Sequence, residues 1–489
     1  MRIIGRAIMK RGGTAVDGPY KSIVPDSPFT GIPNRSTKQA LHVAQFVQRF
    51  PPALGGSETY TARLCAYLAA QGDRVDVWTS TAIELREMWG RSTSPGPSFL
   101  SGRGEPSPLT FNVPNVPSDS EASLSPLAVR EGGLGGVGLH RYTPLHFPAR
   151  RYLLKALSLL PHRRWQCLTV PCNPVCPQMW RDAWTYNGPL DAVHATAFPY
   201  GFPIACGLRL ARRRGVPFLL TPFLHLGDPH DPYDRTRRQY TKPYLRWLLN
   251  QADRVFVQTH TECDAAVALG VAHERLVLQG LGVNPAECTG GNRETVRYEW
   301  GVDPTEVVVG HLANNSAEKG TVDLLRAAER LWARGERFRV VLAGPEMPNF
   351  RSFWDTFGPK AHVTRLGRLS ETQKLDFFAG IDCFALPSRS DSFGLVLLEA
   401  WANAKPNLVY RAGGPAELIR DGTDGLHAAC GDVNELAAQL GRLVADVELR
   451  RRLGESGRSR VTREFRWDDK LELVRNTIRS AIAERTDTG

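Results

Sequence analysis

Long apolar runs are missing from this chain: no uncharged apolar stretch of about 18 residues occurs, so no membrane-spanning helix is expected. The first nine residues carry charge and no apolar run of signal length, which argues against a secretory leader. Cysteine is scarce and odd in number, 9 in 489 residues, which excludes a disulfide-stapled secreted framework and suits a reducing compartment. Acidic residues are outnumbered, 50 against 61 Lys plus Arg, giving a formal charge of +11 that favours anionic partners. The basic residues are scattered and no base-stacking motif accompanies them, so nucleic acid is not among the expected partners. No repeat of solenoid length appears. These absences predict a cytoplasmic protein, with peripheral attachment to the inner face of the cell membrane left open.

What is present is a globular composition, 42% hydrophobic and 23% charged, long enough for several domains. Residues 1–39 mix Gly, Pro, Ser and basic residues without period and read as an irregular N-terminal extension. Residues 41–50 read as a strand, 58–70 as a helix with apolar residues at Tyr60, Leu64, Tyr67 and Leu68, and 74–79 as a second strand. About half of residues 92–138 are Gly, Pro or Ser, which predicts a flexible surface insert. Short apolar strands resume at 190–195, 217–222, 254–259 and 276–279, with helical stretches between them. After a break near 284–292 a second series follows: strands at 307–312, 339–343, 363–366, 383–387 and 407–410, helices at 321–334, 371–379 and 393–404. Strands alternating with helices predict parallel, doubly wound sheets, here two Rossmann-like α/β domains (40–290 and 291–465) facing across a cleft that would hold the ligand.

Three segments carry chemistry. Pro51-Pro52-Ala53-Leu54-Gly55-Gly56-Ser57-Glu58 joins the first strand to the first helix. Its paired glycines let main-chain N–H groups approach an anion, with a helix N-terminus behind them; a tight turn capped by Ser57 is the plainer reading. Asn314-Asn315-Ser316-Ala317-Glu318-Lys319-Gly320 is again a strand-to-helix loop. Lys319 sits at a helix start, against the macrodipole, where a bound anion would explain it. In Pro387-Ser388-Arg389-Ser390-Asp391-Ser392-Phe393-Gly394-Leu395-Val396-Leu397-Leu398-Glu399 the two carboxylates, if both are helical, lie about 12 Å apart along the axis. Glu399 in so apolar a helix needs a partner, and ligand hydroxyls could serve.

Together these motifs resemble those of retaining glycosyltransferases of family 4 (glycosyl transferases group 1, GT-B fold), which carry a Gly-Gly-x-Glu loop, a Lys-Gly loop and two acids separated by seven residues. The likeness covers roughly 41–485. It implies transfer of a sugar from a nucleoside diphosphate sugar to a sugar or lipid-linked acceptor with retained anomeric configuration, in cell-surface polysaccharide or glycolipid synthesis, without cofactor or metal. It also implies that the N-terminal domain receives the acceptor, the C-terminal domain binds the donor, and a terminal helix (466–489) packs back on the first domain. By the same resemblance Gly55 and Gly56 would face the donor diphosphate, Lys319 would neutralise it, and Asp391 would contact the sugar hydroxyls. Main-chain N–H groups of Phe393, Gly394 and Leu395 would support sugar and phosphate, Glu399 would hold the ribose, and Arg368-Leu369 would seat the base.

The chain departs from the pattern at three places. Asp391 stands where many relatives have Glu. Asn314 replaces an Arg whose diphosphate contact Arg389 or another basic residue would have to supply. The His-x-His of relatives reads His194-Ala195-Thr196, so His194 is the catalytic candidate and His225, in Leu224-His225-Leu226-Gly227, its alternative. Two rival functions stay open: a nucleotide-sugar epimerase of the same architecture, and a catalytically weak sugar- or lipid-binding scaffold. Gly413-Gly414-Pro415-Ala416-Glu417 resembles the family's C-domain glycine loop and either approaches the cleft or forms a structural turn. His162, Cys167, Cys172 and Cys176 fall close together but include no Cys-x-x-Cys pair, so no zinc site is expected. Residues 150–164 interleave Arg150, Arg151, Lys155, Arg163 and Arg164 with five leucines, either a helix with its leucines in the core or a surface for anionic lipid.

Overall fold

The computed structural model describes residues 40–53, 55–84, 87–89, 136–147, 149–231 and 233–486. The extension 1–39 and most of the insert lie outside them. The last two residues assigned to the insert, Val137 and Gly138, instead open a strand.

The first sheet has seven strands: β1 (His42–Phe46), β2 (Arg74–Ser80), β3 (Val137–Tyr142), β4 (Ala192–Thr196), β5 (Phe218–Thr221), β6 (Arg254–Val257) and β7 (Leu276–Leu278). Its order is β3-β2-β1-β4-β5-β6-β7, with every pair parallel. The second has six: β8 (Val307–Leu312), β9 (Phe338–Ala343), β10 (Val363–Gly367), β11 (Cys383–Leu386), β12 (Asn407–Tyr410) and β13 (Gly425–Ala428), in the order β10-β9-β8-β11-β12-β13 and again parallel. Helices cover both faces, so β4, β5, β11 and β12 are buried along their whole length. In each sheet the strand order reverses once, between β1 and β4 and between β8 and β11. Loops at the carboxyl ends of these strands form the crevice where doubly wound sheets bind ligands.

The chain passes between the halves twice. Val283, on the outward passage, forms a parallel bridge with Arg466 on the return, and its N–H donates to the Phe465 carbonyl at 2.8 Å. The returning helix, Trp467–Thr486, buries Leu471, Val474, Ile478 and Ala481. Arg475 grips Asp73 at 2.6 and 3.0 Å, and Arg485 holds Asp253 at 3.0 Å. Asp73, fully buried, also accepts the Leu41 N–H at 3.0 Å, so the return helix is tied to the residue that precedes β1. Among the described residues no helix is long and apolar enough to cross a membrane.

Candidate active site

At the end of β1, Gly55 is extended and precedes helix Gly56–Ala70. Ser57 does not cap that helix; its hydroxyl donates to Glu58 at 2.9 Å. Glu58 is 2% exposed, accepts Gln48 Nε2 at 3.1 Å and pairs with Arg49 at 2.6 Å. A buried ion pair therefore braces the glycine loop, close enough that a Cβ on Gly55 would lie 2.3 Å from Glu58 Oε2.

Three loops of the second sheet interlock. After β8, Lys319 N–H donates to Ser316 Oγ at 3.1 Å, and Gly320 turns the chain into helix Thr321–Trp332 at φ +76°. After β11, the Arg389 N–H donates to the Glu318 carbonyl at 2.9 Å, zipping this loop to the Lys319 loop. After β12, the Gly414 N–H donates to the Asp391 carbonyl at 3.0 Å, and a Cβ on Gly414 would lie 2.1 Å from the Ser392 carbonyl oxygen. The Gly413-Gly414 loop is thus the backing of the Asp391 loop. At the centre, Lys319 Nζ meets Asp391 Oδ2 at 2.6 Å, both side chains mostly buried. Burial alone would raise the Asp391 carboxyl; the Lys319 ammonium, with His225 and the Phe393 N–H, overrides it and holds it below the usual carboxylate range. The cation at the helix start is therefore answered within the chain by Asp391.

This constellation stands at the carboxyl ends of β8 and β11, with the Gly55 loop at that of β1, in the order the resemblance requires. Two family profiles match the two halves: "Glycosyl transferase 4-like domain" over residues 55–282 and "Glycosyl transferases group 1" over 292–460. An uncharacterized glycosyltransferase of Methanocaldococcus jannaschii is 35% identical over 287 residues, 58% of this chain and 74% of that one. The chain belongs to the group 1 glycosyltransferases. The D-inositol 3-phosphate glycosyltransferase of Mycobacterium marinum is 30% identical over 273 residues, covering 53% of this chain and 56% of that enzyme. The chain thus spans little more than half the length of that relative, as it does of its Nocardia farcinica counterpart, at 58%. Among solved structures, sucrose-phosphate synthase from Thermosynechococcus elongatus superposes with a TM-score of 0.62 at 20% identity, over 91% of this chain and all of that one. HepE from Anabaena does so at 0.61 and 16%, over 90% of this chain and all of that one. At these identities the likeness is one of fold, and the fold is GT-B.

Within this fold the two candidate histidines part company. His194 lies inside β4, fully buried, with Nδ1 2.7 Å from Gln45 Oε1 and Nε2 2.8 Å from Thr221 Oγ1. Burial lowers it to about 3, so it is a neutral core residue, its ring nitrogens engaged by Gln45 and Thr221 and not by the Lys319–Asp391 pair. His225 follows β5 and comes to the Lys319–Asp391 pair. Burial first, then the Lys319 ammonium, lower it to about 4, against the pull of Asp391 and of a hydrogen bond to the Ser390 main chain. Its ring lies 4.8 Å from that of Tyr240.

Other readings shift. Asp391 precedes helix Leu395–Ala402, with the left-handed Gly394 between them, so the two acids do not share a helix. Phe393 is buried, and Leu395 opens that helix with a main-chain N–H that lacks an intrahelical acceptor. Glu399 already has a partner in the chain: Lys374 Nζ pairs with its Oε1 at 3.0 Å. Arg389 does not stand in for the missing cation at Asn314; it bridges Asp323 at 2.6 Å and Asp228, across the crevice, at 3.2 Å. Arg368 is exposed after the left-handed Gly367, and Leu369 packs partly into the core. No group of metal-ligating side chains occurs among the described residues; His162 instead caps helix Arg163–Thr169, its Nδ1 3.4 Å from the Trp165 N–H.

Two contacts across the crevice were not foreseen. The Gly227 N–H donates to Ser390 Oγ at 3.1 Å. Glu417, from the glycine loop, accepts the N–H groups of His260 and Thr261 at 2.7 and 2.9 Å, capping the helix His260–Ala268 of the other half. Their partners are over 150 residues apart in sequence, and no local pattern announces them.

Proposed function

We propose that this glycosyltransferase moves a hexosyl or related sugar from a nucleoside diphosphate sugar to an acceptor with retention of anomeric configuration, in cell-surface polysaccharide or glycolipid synthesis. The observation that carries the reading is the Lys319–Asp391 pair, at the switch point of the second sheet, with His225 of the first domain beside it. HepE, of the same fold, has been solved with UDP-glucose, which agrees with a nucleotide-sugar donor. In this reading the first domain takes the acceptor and the second the donor. Lys319 and the N–H groups of Gly55, Gly56, Phe393, Gly394 and Leu395 stabilise charge on the departing diphosphate. Asp391 and His225 meet the sugar, Glu399 holds the ribose, and Arg368-Leu369 seat the base. The sugar passes through an oxocarbenium-like state. The acceptor attacks from the face the diphosphate leaves; its hydroxyl proton passes to the leaving phosphate oxygen, so no protein nucleophile is needed. Lys319 exchanges Asp391 for phosphate as the donor enters. Incubation with UDP-, GDP- and ADP-sugars should release free nucleoside diphosphate from one class, and NMR of the product should show the donor's anomeric configuration. An inverted product would overturn retention, and a sugar isomer formed without acceptor would favour the epimerase.

The proposal extends to an anionic bilayer as the place of work. Helix Arg150–Leu157 and the turn after it expose Tyr152 (76%), Leu153 (50%), Leu159 (77%) and Leu160 (51%), with Trp165 (38%) alongside. Arg151, Lys155, Arg163 and Arg164 are exposed among them, and no acidic residue occurs between Glu131 and Asp182. Arg150 is no part of this surface: it is 4% exposed and donates to the Asn173 carbonyl at 2.6 Å. Each cation near an anionic surface contributes about 1 kcal/mol, screened by salt. Flotation with phosphatidylserine vesicles should show binding that falls with salt. Changing Arg151, Lys155, Arg163 and Arg164 to Gln should lower it by about three orders of magnitude at low salt. No binding at low salt would leave a soluble acceptor.

A further inference from the structure

One buried carboxylate has no part in the chemistry above. Glu262, in the first turn of helix His260–Ala268, is 1% exposed. Its two oxygens accept two main-chain donors, Leu224 N–H at 2.6 Å and Gln258 N–H at 2.6 Å. No ion pair with Glu262 occurs among the described residues; burial raises it to about 7, the two N–H donors oppose that, and Glu417 reinforces it.

Leu224 is the residue before His225. Phe223, before it, has φ +52°, a left-handed conformation that a residue with a Cβ disfavours and that its surroundings must hold. Beyond His225 the loop is fastened to the other half of the molecule, through Gly227 to Ser390 and Asp228 to Arg389. Within the first domain the loop is held on both sides of His225: Glu262 fastens Leu224 before it, and Arg237 Nε donates to the Leu226 carbonyl at 2.9 Å after it.

We propose that Glu262 is a positioning residue for glycosyl transfer: its carboxylate clamps the main chain at Leu224 and so holds the His225 ring against the Lys319–Asp391 pair. The inference rests on the reading that places His225 at the reacting centre. The titratable groups around Glu262 are His260 and Cys263 on its own helix and Glu417 from the second domain; Gln258, at the end of β6, is neutral.

Once protonated, one oxygen of Glu262 becomes a donor and loses its main-chain N–H. Turnover should then fall on the acid side with a midpoint near 7, whereas His225, lowered to about 4, titrates far below. Stability moves the other way. A carboxyl raised in the folded state binds its proton more tightly there, so its contribution to stability is greatest at low pH and declines as pH rises through about 7. Protonation of Glu262 near 7 therefore does not itself favour unfolding.

In E262Q the amide can accept only one of the two N–H groups and opposes the other with a donor. Turnover should drop about tenfold, the size of effect a slight misplacement of a reacting group produces. Nucleoside diphosphate affinity by calorimetry should stay within about twofold, the acid limb should vanish, and amide exchange at Leu224 should quicken; E262D should recover part of the loss. Combined with H225A, E262Q should add no further loss, because both changes remove one interaction. Multiplying losses, or unchanged exchange at Leu224, would overturn the clamp. If E262Q fails to fold, the unmodified enzyme decides: a flat profile between about pH 6 and 8 overturns the proposal, and an acid limb near 7 that shifts in E262D upholds it. Should the unmodified enzyme transfer sugar from no donor, the proposed reaction falls, while exchange at Leu224 still reports on the clamp.

Discussion

Lys319→Ala is expected to lower turnover by about 10²- to 10³-fold, the range seen when one preorganised stabiliser of a leaving or developing anion is removed. In the proposed reaction the ammonium is the cation beside the leaving diphosphate; Asn314 carries no charge and Arg389 is engaged by Asp323 and Asp228, so neither replaces it. Nucleoside diphosphate affinity should weaken about tenfold, equivalent to about 1.4 kcal/mol. Stability should fall too, by about 2 kcal/mol, because Asp391 is left as a mostly buried carboxylate without its counter-charge; the remaining solvent contact of the pair keeps this below the figure for full burial. Lys319 holds the Asp391 carboxyl below its ordinary range, so this stabilisation is present above the usual carboxylate range and is lost as pH falls through and below it. The gap between Lys319→Ala and the unmodified chain should therefore narrow in acid. Adding Asp391→Asn should restore stability without restoring turnover. Thermal unfolding beside nucleoside diphosphate release separates the two effects, and unchanged turnover in Lys319→Ala would remove Lys319 from the site.

Gly320→Ala should be nearly as damaging, through the backbone. Gly320 has φ +76°, where a residue with a Cβ is strained by about 1–2 kcal/mol. The added Cβ would also lie 1.8 Å from the Pro387 carbonyl oxygen, an overlap no side-chain rotation relieves. One of the two loops must move, at about 1–3 kcal/mol by comparison with overpacked cores. These are the loops that carry Lys319 and Asp391, so turnover should fall by at least about tenfold, together with a loss of about 3 kcal/mol in stability. Gly335 is the control: it has φ +89° but nothing within 4 Å of an added Cβ. Gly335→Ala should lose about 1 kcal/mol and keep its turnover. Equal behaviour of the two variants would show that the contact with Pro387 has no bearing on the site.

The fold was legible because buried parallel strands leave short apolar runs ending in loops of small and polar residues, as at β8, β11 and β12. β3 escaped because its first residues continue a Gly-rich stretch, and β13 because Gly-Leu-His-Ala carries one large apolar side chain and so does not read as an apolar run. The two histidines show where reading by motif stops. His194 sits inside a strand buried on both faces, which is where a core histidine belongs; His225 lies past a strand end, in a loop with Gly227 and Pro229. Chain position already separated them, but the family's spacing pointed to the first. Partners were harder still. Lys319 and Glu399 were read as charges awaiting a ligand, and the structure supplies Asp391 and Lys374, 72 and 25 positions away. A lone sequence shows that a charge needs a partner; only the folded chain shows which one.

The return of the chain at Phe465 to Trp467 has a consequence for how this enzyme is made. The first domain is discontinuous: its body precedes the second domain in the chain, and the helix Trp467–Thr486 that seals Asp73 and packs beside Tyr60 follows it. At about 5–20 residues per second the ribosome needs on the order of 10–40 s to travel from Val283 to Trp467. Throughout that interval the half begun first stands with the surface meant for Leu471, Val474 and Ile478 uncovered, while the half begun second, with its own core around Leu324, Phe338 and Leu440, gathers all its strands. The domain that is started first is finished last.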